Sequence, residues 1–185
     1  MLLTLRIQLA NIKKPPVWRK LAVPAQFTFD KLHLLIQAAF GWDNDHLYQF
    51  SEKGYGSDVI ISEPTGEDWQ EVKDSRKIKV GSVLTKQNQK FQYIYDFGDD
   101  WLHHITVEKI EDVNATKADC LGGKGACPPE DCGGPWGYEA LKEKLANPKD
   151  PEHEEMKEWL GIDEDEEWDP DYFDLEETKE IVKRI

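Results

Sequence analysis

The sequence predicts an α+β fold: a mainly antiparallel sheet packed by an amphipathic helix, with a helical segment at the C-terminal end. Three observations carry this. Apolar residues alternate at period two in several stretches of residues 1–112, one stretch there switches to helical spacing, and from Tyr138 onward only helical spacing recurs.

Leu3, Leu5, Ile7 and Leu9 alternate with Thr4, Arg6 and Gln8, the period of a half-buried strand. The turn-forming "NIKKPP" breaks that strand and "VWRKLAV" resumes as its hairpin partner. Thr28 is placed to cap a helix. Phe29, Leu32, Leu35, Ile36, Ala39 and Phe40 follow on one helical face, and Gly41 stands where a left-handed C-terminal residue belongs. "HLYQF" at 46–50 reads as the next strand. Residues 52–78 are polar and turn-rich, with "SEPTGEDW" as a loop, and "KIKVGSVL" as a short strand or a turn. From Phe91, Tyr93, Tyr95 and Phe97 the alternation crosses a Gly98-Asp99-Asp100 tip and returns through Trp101, His103, Ile105 and Val107. That pattern predicts a β-hairpin with Gly98 free to take positive φ.

Residues 113–137 read as a loop, rich in Gly, Pro and Cys from 119 onward. Three helices follow, marked by Tyr138/Leu141/Leu145, by Met156/Trp159/Leu160 before Gly161, and by an Asp174-x-x-Glu177 cap before Ile181 and Val182. The expected organisation is a single domain, 1–185, with a sheet-and-helix core (1–112), the Gly/Pro/Cys loop (113–137) and an acidic helical tail packed on the core (138–185).

Composition narrows the function classes. With 39% hydrophobic and 11% aromatic residues, the 185-residue chain is too apolar for a disordered one. No apolar run approaches the roughly 18 residues of a membrane span, and the N-terminus lacks the pattern of a signal peptide. These two features lead to the expectation of a cytoplasmic location, where the three cysteines, which cannot all pair within the chain, would be free thiols or metal ligands. The formal charge of −14 is concentrated: residues 150–180 hold sixteen Asp/Glu against two Lys, and the remainder is balanced. Phosphate backbones repel such a chain, which makes direct nucleic-acid binding unlikely. It would rest on Lys13, Lys14, Trp18, Arg19 and Lys20 alone.

Four features are candidates for function. In "YIYDFGDDWLHHI", Asp96 and Asp99 are either turn acceptors for backbone N–H groups, with His103 at the core's edge, or they converge with Trp101, His103 and His46 in a cleft. Carboxylates beside imidazoles can hold a divalent metal or orient a general base. Cys120-x₆-Cys127-x₄-Cys132 is either three reduced thiols or part of a zinc site, its spacing looser than the usual knuckle. In "PPEDCGGPWGY", Glu130 and Asp131 either belong to a structural loop or rim the same cleft, and Trp136 and Tyr138 anchor the next helix. The acidic 150–180 segment is either a solvated face or the contact surface of a protein partner; its aromatics argue that parts of it pack down.

The stretches "FDKLHLLIQAAFGWDNDHLYQF", "YIYDFGDDWLHHI", "CPPEDCGGPWGYEAL" and "WDPDYFDLEE" together resemble the Ri-plasmid open-reading-frame-three-like proteins, which also occur as passengers of insertion elements. The positions that match are Leu32, His33, Trp42, His46, Asp96, Gly98, Asp99, Trp101, His103, Cys127, Glu130, Asp131, Gly133, Gly134, Gly137 and Tyr138. The resemblance implies an α+β fold and no particular activity. The expected function is a small binding or adaptor domain, serving mobile-element or nucleic-acid-handling partners. The alternative is a metal-assisted hydrolase using His46, Asp96, Asp99 and His103, with zinc as the cofactor considered.

Overall fold

The computed structural model describes residues 1–66, 70–163 and 165–185. The N-terminal alternation becomes β1 (Leu2–Leu9), with Leu3, Leu5, Ile7 and Leu9 facing inward and at most 1% exposed. It pairs antiparallel with β2 (Trp18–Pro24), as the sequence predicts. The helix α1 (Phe29–Phe40) has the expected caps: Thr28 accepts a hydrogen bond from the Lys31 N–H at 3.2 Å, and Gly41 takes φ 86°. Its buried stripe of Phe29, Leu32, Leu35, Ile36 and Phe40 joins the inner face of β1 and β2 in one core.

Two predicted boundaries move. The strand expected at 46–50 is β3 (Tyr48–Ser51), so His46 lies in the loop before it. The segment 52–78 contains a 3₁₀ turn (Gly54–Gly56) and two short strands, β4 (Val59–Ser62) and β5 (Glu71–Asp74), which pair in parallel. At four residues each they are too short for alternation to show. Part of the "SEPTGEDW" loop, residues 67–69, lies outside the described residues. "KIKVGSVL" holds a single helical turn, α2 (Val80–Val83), rather than a strand.

The aromatic hairpin forms as predicted. Strand β6 (Lys90–Tyr95) pairs antiparallel with β7 (Trp101–Glu111), placing Tyr93 opposite His103 and Tyr95 opposite Trp101. Its tip turns differently. The left-handed residues are Asp96 (φ 55°) and Asp100 (φ 62°), not Gly98, and the Asp100 N–H donates to the Asp96 carbonyl at 2.7 Å. Asp tolerates this backbone because its carboxylate can bond locally: Asp96 Oδ1 accepts from the Gly98 N–H at 2.8 Å.

The loop predicted at 113–137 contains a strand, β8 (Asp119–Lys124), which pairs with β2. Its "DCLGGK" sequence shows no period two, and Gly123 explains why one side is bare: a Cβ there would meet the Phe173 ring at 2.6 Å. Strand order is β5-β4-β3-β6-β7-β1-β2-β8 among the described residues, antiparallel except at β4/β5. The three C-terminal helices are α3 (Gly134–Leu145), α4 (His153–Trp159) and α5 (Leu175–Val182). Asp174 caps α5 by accepting from the Glu177 N–H, and Val182 enters the core. Tyr138 and Leu141 anchor α3 as predicted. Trp136 does not; it is 88% exposed.

Candidate functional site

Three loops from distant parts of the chain meet at one end of the hairpin: 41–47 after α1, the tip 96–100, and 128–134 before α3. Polar contacts sew them together. The Trp42 indole N–H donates to the Pro128 carbonyl at 2.9 Å. Glu130 Oε1 accepts from the Asp43 N–H at 3.0 Å and from the Tyr95 hydroxyl at 2.9 Å. Tyr95 in turn accepts from the Asp45 N–H, and Asp99 Oδ2 accepts from the Gly133 N–H at 3.1 Å. Gly134 (φ 67°) passes so close to the hairpin tip that a Cβ would lie 2.3 Å from the Asp99 carbonyl oxygen. Of the six non-glycine residues with positive φ among the described residues, Asn44, Asp96, Asp100 and Asp131 lie in these loops, which marks them as the place where unusual backbone is concentrated.

His46 sits at the centre of this meeting. Its Nδ1 is 3.8 Å from Asp96 Oδ1, and its Nε2 is 3.5 Å from Asp131 Oδ1 and 3.8 Å from Glu130 Oε2. One ligand atom each from His46, Asp96 and Asp131 fall within 4.8 Å of one another, the one such group of three His, Cys, Asp or Glu side chains among the described residues. Asp96 is buried, and Asp131 is exposed. Glu130 Oε2 is buried without a hydrogen-bond partner, and burial outweighs the two bonds to Oε1 and pushes the carboxyl above its usual range. Burial likewise raises the Tyr95 hydroxyl, with the adjacent Glu130 carboxylate adding to it, so Tyr95 stays protonated and acts as the donor. On its other side His46 borders a cleft of about 300 Å³, lined in part by Asp30, His33, Asn44, Tyr48 and Glu63.

Four of the seven predicted cleft residues therefore come together: His46, Asp96, Glu130 and Asp131. Asp99 is spent on the Gly133 N–H, as a clamp between two of the loops. Trp101 and His103 are not at a rim. Both are 0% exposed, and the expectation that His103 lies where core meets solvent is corrected. The hairpin register turns His103 inward, opposite Tyr93, under Phe40 and Trp42, whose rings lie 5.0 and 5.3 Å away. Its Nδ1 donates to the Trp101 carbonyl at 2.9 Å, and burial drops its pKa to about 3. Trp42, stacked on Tyr95 at 5.0 Å, stands between His103 and the loops. The pairing of His46 with His103 fails for that reason.

The cysteines do not join a ligand group of three. Cys120 is buried on β8, while Cys127 and Cys132 flank the Pro128-Pro129 turn; all are free thiols. Burial raises all three, Cys132 to about 12, so they are protonated at neutral pH. Residues that sequence reasoning passed over are Tyr95, read as strand filling, and Asn44, which hydrogen-bonds Nε2 of His33. His33 stacks on Tyr48 at 3.6 Å and is held neutral by burial, its pKa near 4. A tyrosine ending an aromatic strand beside an Asp was the available signal. The Arg19 guanidinium, one of the few cations that DNA binding would need, is buried and donates to the carbonyls of Ala39, Trp18, Lys124 and Gly125.

The chain belongs to the family described as plasmid pRiA4b ORF-3-like protein, whose model matches residues 1–177. It is 38% identical over 160 residues to the uncharacterized protein y4hQ of Sinorhizobium fredii (strain NBRC 101917 / NGR234), covering 85% of this chain and 79% of that one. It is also similar to the crystal structure of a protein of unknown function, MM3350, from Methanosarcina mazei Go1. That match has a TM-score of 0.78 at 34% identity and covers 95% of this chain and 96% of the other. No helix among the described residues is long and apolar enough to cross a membrane.

Proposed function

We propose that the chain is a small binding domain organised around a divalent-cation site at His46, Asp96 and Asp131, with Glu130 at its edge. The observation that carries the reading is the convergence of those three ligand atoms beside a buried carboxylate oxygen that no hydrogen bond satisfies. Like charges gathered where water is partly excluded repel one another, and a divalent ion relieves that repulsion at once. One imidazole with carboxylates is a mixed N/O set, suited to Zn²⁺, Mn²⁺ or Fe²⁺ more than to Ca²⁺. The cleft beside His46 gives a small polar ligand room to reach the ion. Three unpaired thiols support a cytoplasmic location.

A hydrolase built on His46, Asp96, Asp99 and His103 has less support, because Asp99 is committed to Gly133 and His103 is sealed in the core. The competing account of the cluster is an ion-pair network in which a protonated His46 supplies the positive charge. Calorimetric titration of metal-free protein with Zn²⁺ and Mn²⁺ separates the two. Saturable one-to-one binding is expected, weakened at least tenfold in His46→Ala with little change in melting temperature. Absence of saturable binding, or equal binding by wild type and variant, would retire the cation site.

A further inference from the structure

The exposed Trp136 is not used by the fold or by the cation site. It lies on α3 one helical turn before Ala140, which with Leu141, Met156 and Trp159 lines a groove between α3 and α4 whose charged walls are Asp131, Lys144 and Glu155. The groove encloses about 360 Å³. Trp136 is 88% exposed and Trp159 49%, so two of the largest apolar side chains in the chain stand in water on adjacent helices. Single exposed apolar residues are ordinary, but a half-exposed tryptophan in a groove wall, with a second exposed one a helical turn along α3 from that wall, forms a surface of the kind that partners cover.

The charge around the groove says what kind of partner. Glu155 and Asp131 line the groove and are exposed, and Glu158 is exposed nearby on α4. One cation, Lys144, lines the groove with them and is paired with Glu152. The wider segment 150–180 carries sixteen acidic residues against two lysines. A second copy of the same acidic face would be repelled at such a rim.

We infer that the α3/α4 groove docks a basic amphipathic segment of a protein partner. A bulky apolar side chain enters between Leu141 and Met156 and is flanked by the two tryptophans. Lysines or arginines at neighbouring turns meet Glu155, Glu158 and Asp131. The apolar contact sets the position on the surface, and the acids set which partners approach and how fast. The cation site is separate in mechanism, although Asp131 borders both.

The test uses the full chain and two synthetic peptides of equal composition, one with lysines and leucines patterned as an amphipathic helix and one with that pattern scrambled. Binding is read at physiological salt by peptide anisotropy and by the blue shift of tryptophan fluorescence. The patterned peptide is expected to bind one-to-one and at least tenfold tighter than the scrambled one. Trp159→Ala and Met156→Glu should each cost about tenfold or more, and Glu155→Lys with Glu158→Lys should cost more still. Trp136→Ala, at a fully solvated position, tests the groove where folding is not at stake. Asp163→Lys with Asp165→Lys changes charge outside the groove and should leave affinity within about twofold. Equal affinity for the two peptides, or an equal loss in the Asp163/Asp165 variant, would reduce the effect to attraction between opposite charges and overturn the docking site. Self-association through this face, seen by sedimentation and abolished by Trp159→Ala, would overturn it in favour of a second copy.

Discussion

His103 on β7 adjoins the Trp42 ring and His46, in the loop before β3, adjoins the Tyr95 ring, and their surroundings are opposites. His103 has Phe40, Trp42 and Tyr93 as its walls and one carbonyl as its hydrogen-bond partner, and it is held neutral. His46 has three carboxylates within 3.8 Å and an open side toward a cleft. Trp42 and Tyr95 form the partition. The difference teaches that a histidine's role here follows from which side of an aromatic wall it occupies, not from its closeness in sequence to Asp96. His103 is the nearer in sequence, and His46 is the one that meets the carboxylate.

The comparison breaks first at His103. Replacing it with Ala opens a cavity against three rings and should cost roughly 2–4 kcal/mol of stability, read by chemical denaturation, while cation affinity stays as in the wild type. The same histidine sets an acid limb. Its folded pKa lies below its unfolded value of roughly 6.5, so it contributes stability above that pH that is lost as pH falls toward about 3. The variant's stability should therefore fall less steeply with acid. A drop in cation affinity as large as that of His46→Ala would erase the distinction between the two histidines.

A smaller effect is expected at Gly134. Any side chain there is strained by the left-handed backbone, at about 1–2 kcal/mol, and its Cβ strikes the Asp99 carbonyl. Gly134→Ala should loosen the clamp between the hairpin tip and the 128–134 loop, misplacing Asp131. The expected result is a modest loss of melting temperature with a severalfold loss of cation affinity. Unchanged affinity would show that Asp131 is not a ligand.

The smallest effect sharpens the comparison most. Burial raises the Glu130 carboxyl, so its contribution to stability is fully present below the unfolded value of roughly 4.3 and is lost as pH rises through the folded one. Glu130→Gln keeps the oxygen that accepts from Tyr95 and Asp43 while removing the charge. The metal-free variant should be slightly more stable than the wild type at neutral pH and flatter from acid to neutral, yet bind cation less tightly. A variant less stable at neutral pH would mean that Glu130 is held by an ion pair with His46 instead.

Period-two and period-3.6 patterns revealed β1, β2, α1, the hairpin and the C-terminal helices, because each has one buried face long enough to repeat. Strands β4, β5 and β8 escaped because four to six residues, two of them Gly in β8, leave no periodicity to count. At the site, His46, Asp96, Glu130 and Asp131 were legible as residue types that carry chemistry. What could not be read was which of them meet, since their contacts join loops some fifty and eighty residues apart in sequence. Asp99 and His103 each had two roles open to them for the same reason: a carboxylate that clamps a backbone N–H and one that faces a ligand are the same letter.

The position of β1 in the sheet has a consequence for how the chain is made. Its neighbours are β2, nine residues downstream, and β7, whose first residue is Trp101. As the polypeptide leaves the ribosome, the β1–β2 hairpin can close early, but the other edge of β1 has no strand to pair with until Trp101 and its successors emerge, and the face of β1 carrying Leu3, Leu5, Ile7 and Leu9 stays uncovered meanwhile. At elongation rates of about 5–20 residues per second that wait is on the order of ten seconds. During it the nascent chain presents an unpaired apolar edge, the template on which strands of other chains add, and its yield in a cell should depend on chaperones that shield the first strand until the seventh arrives.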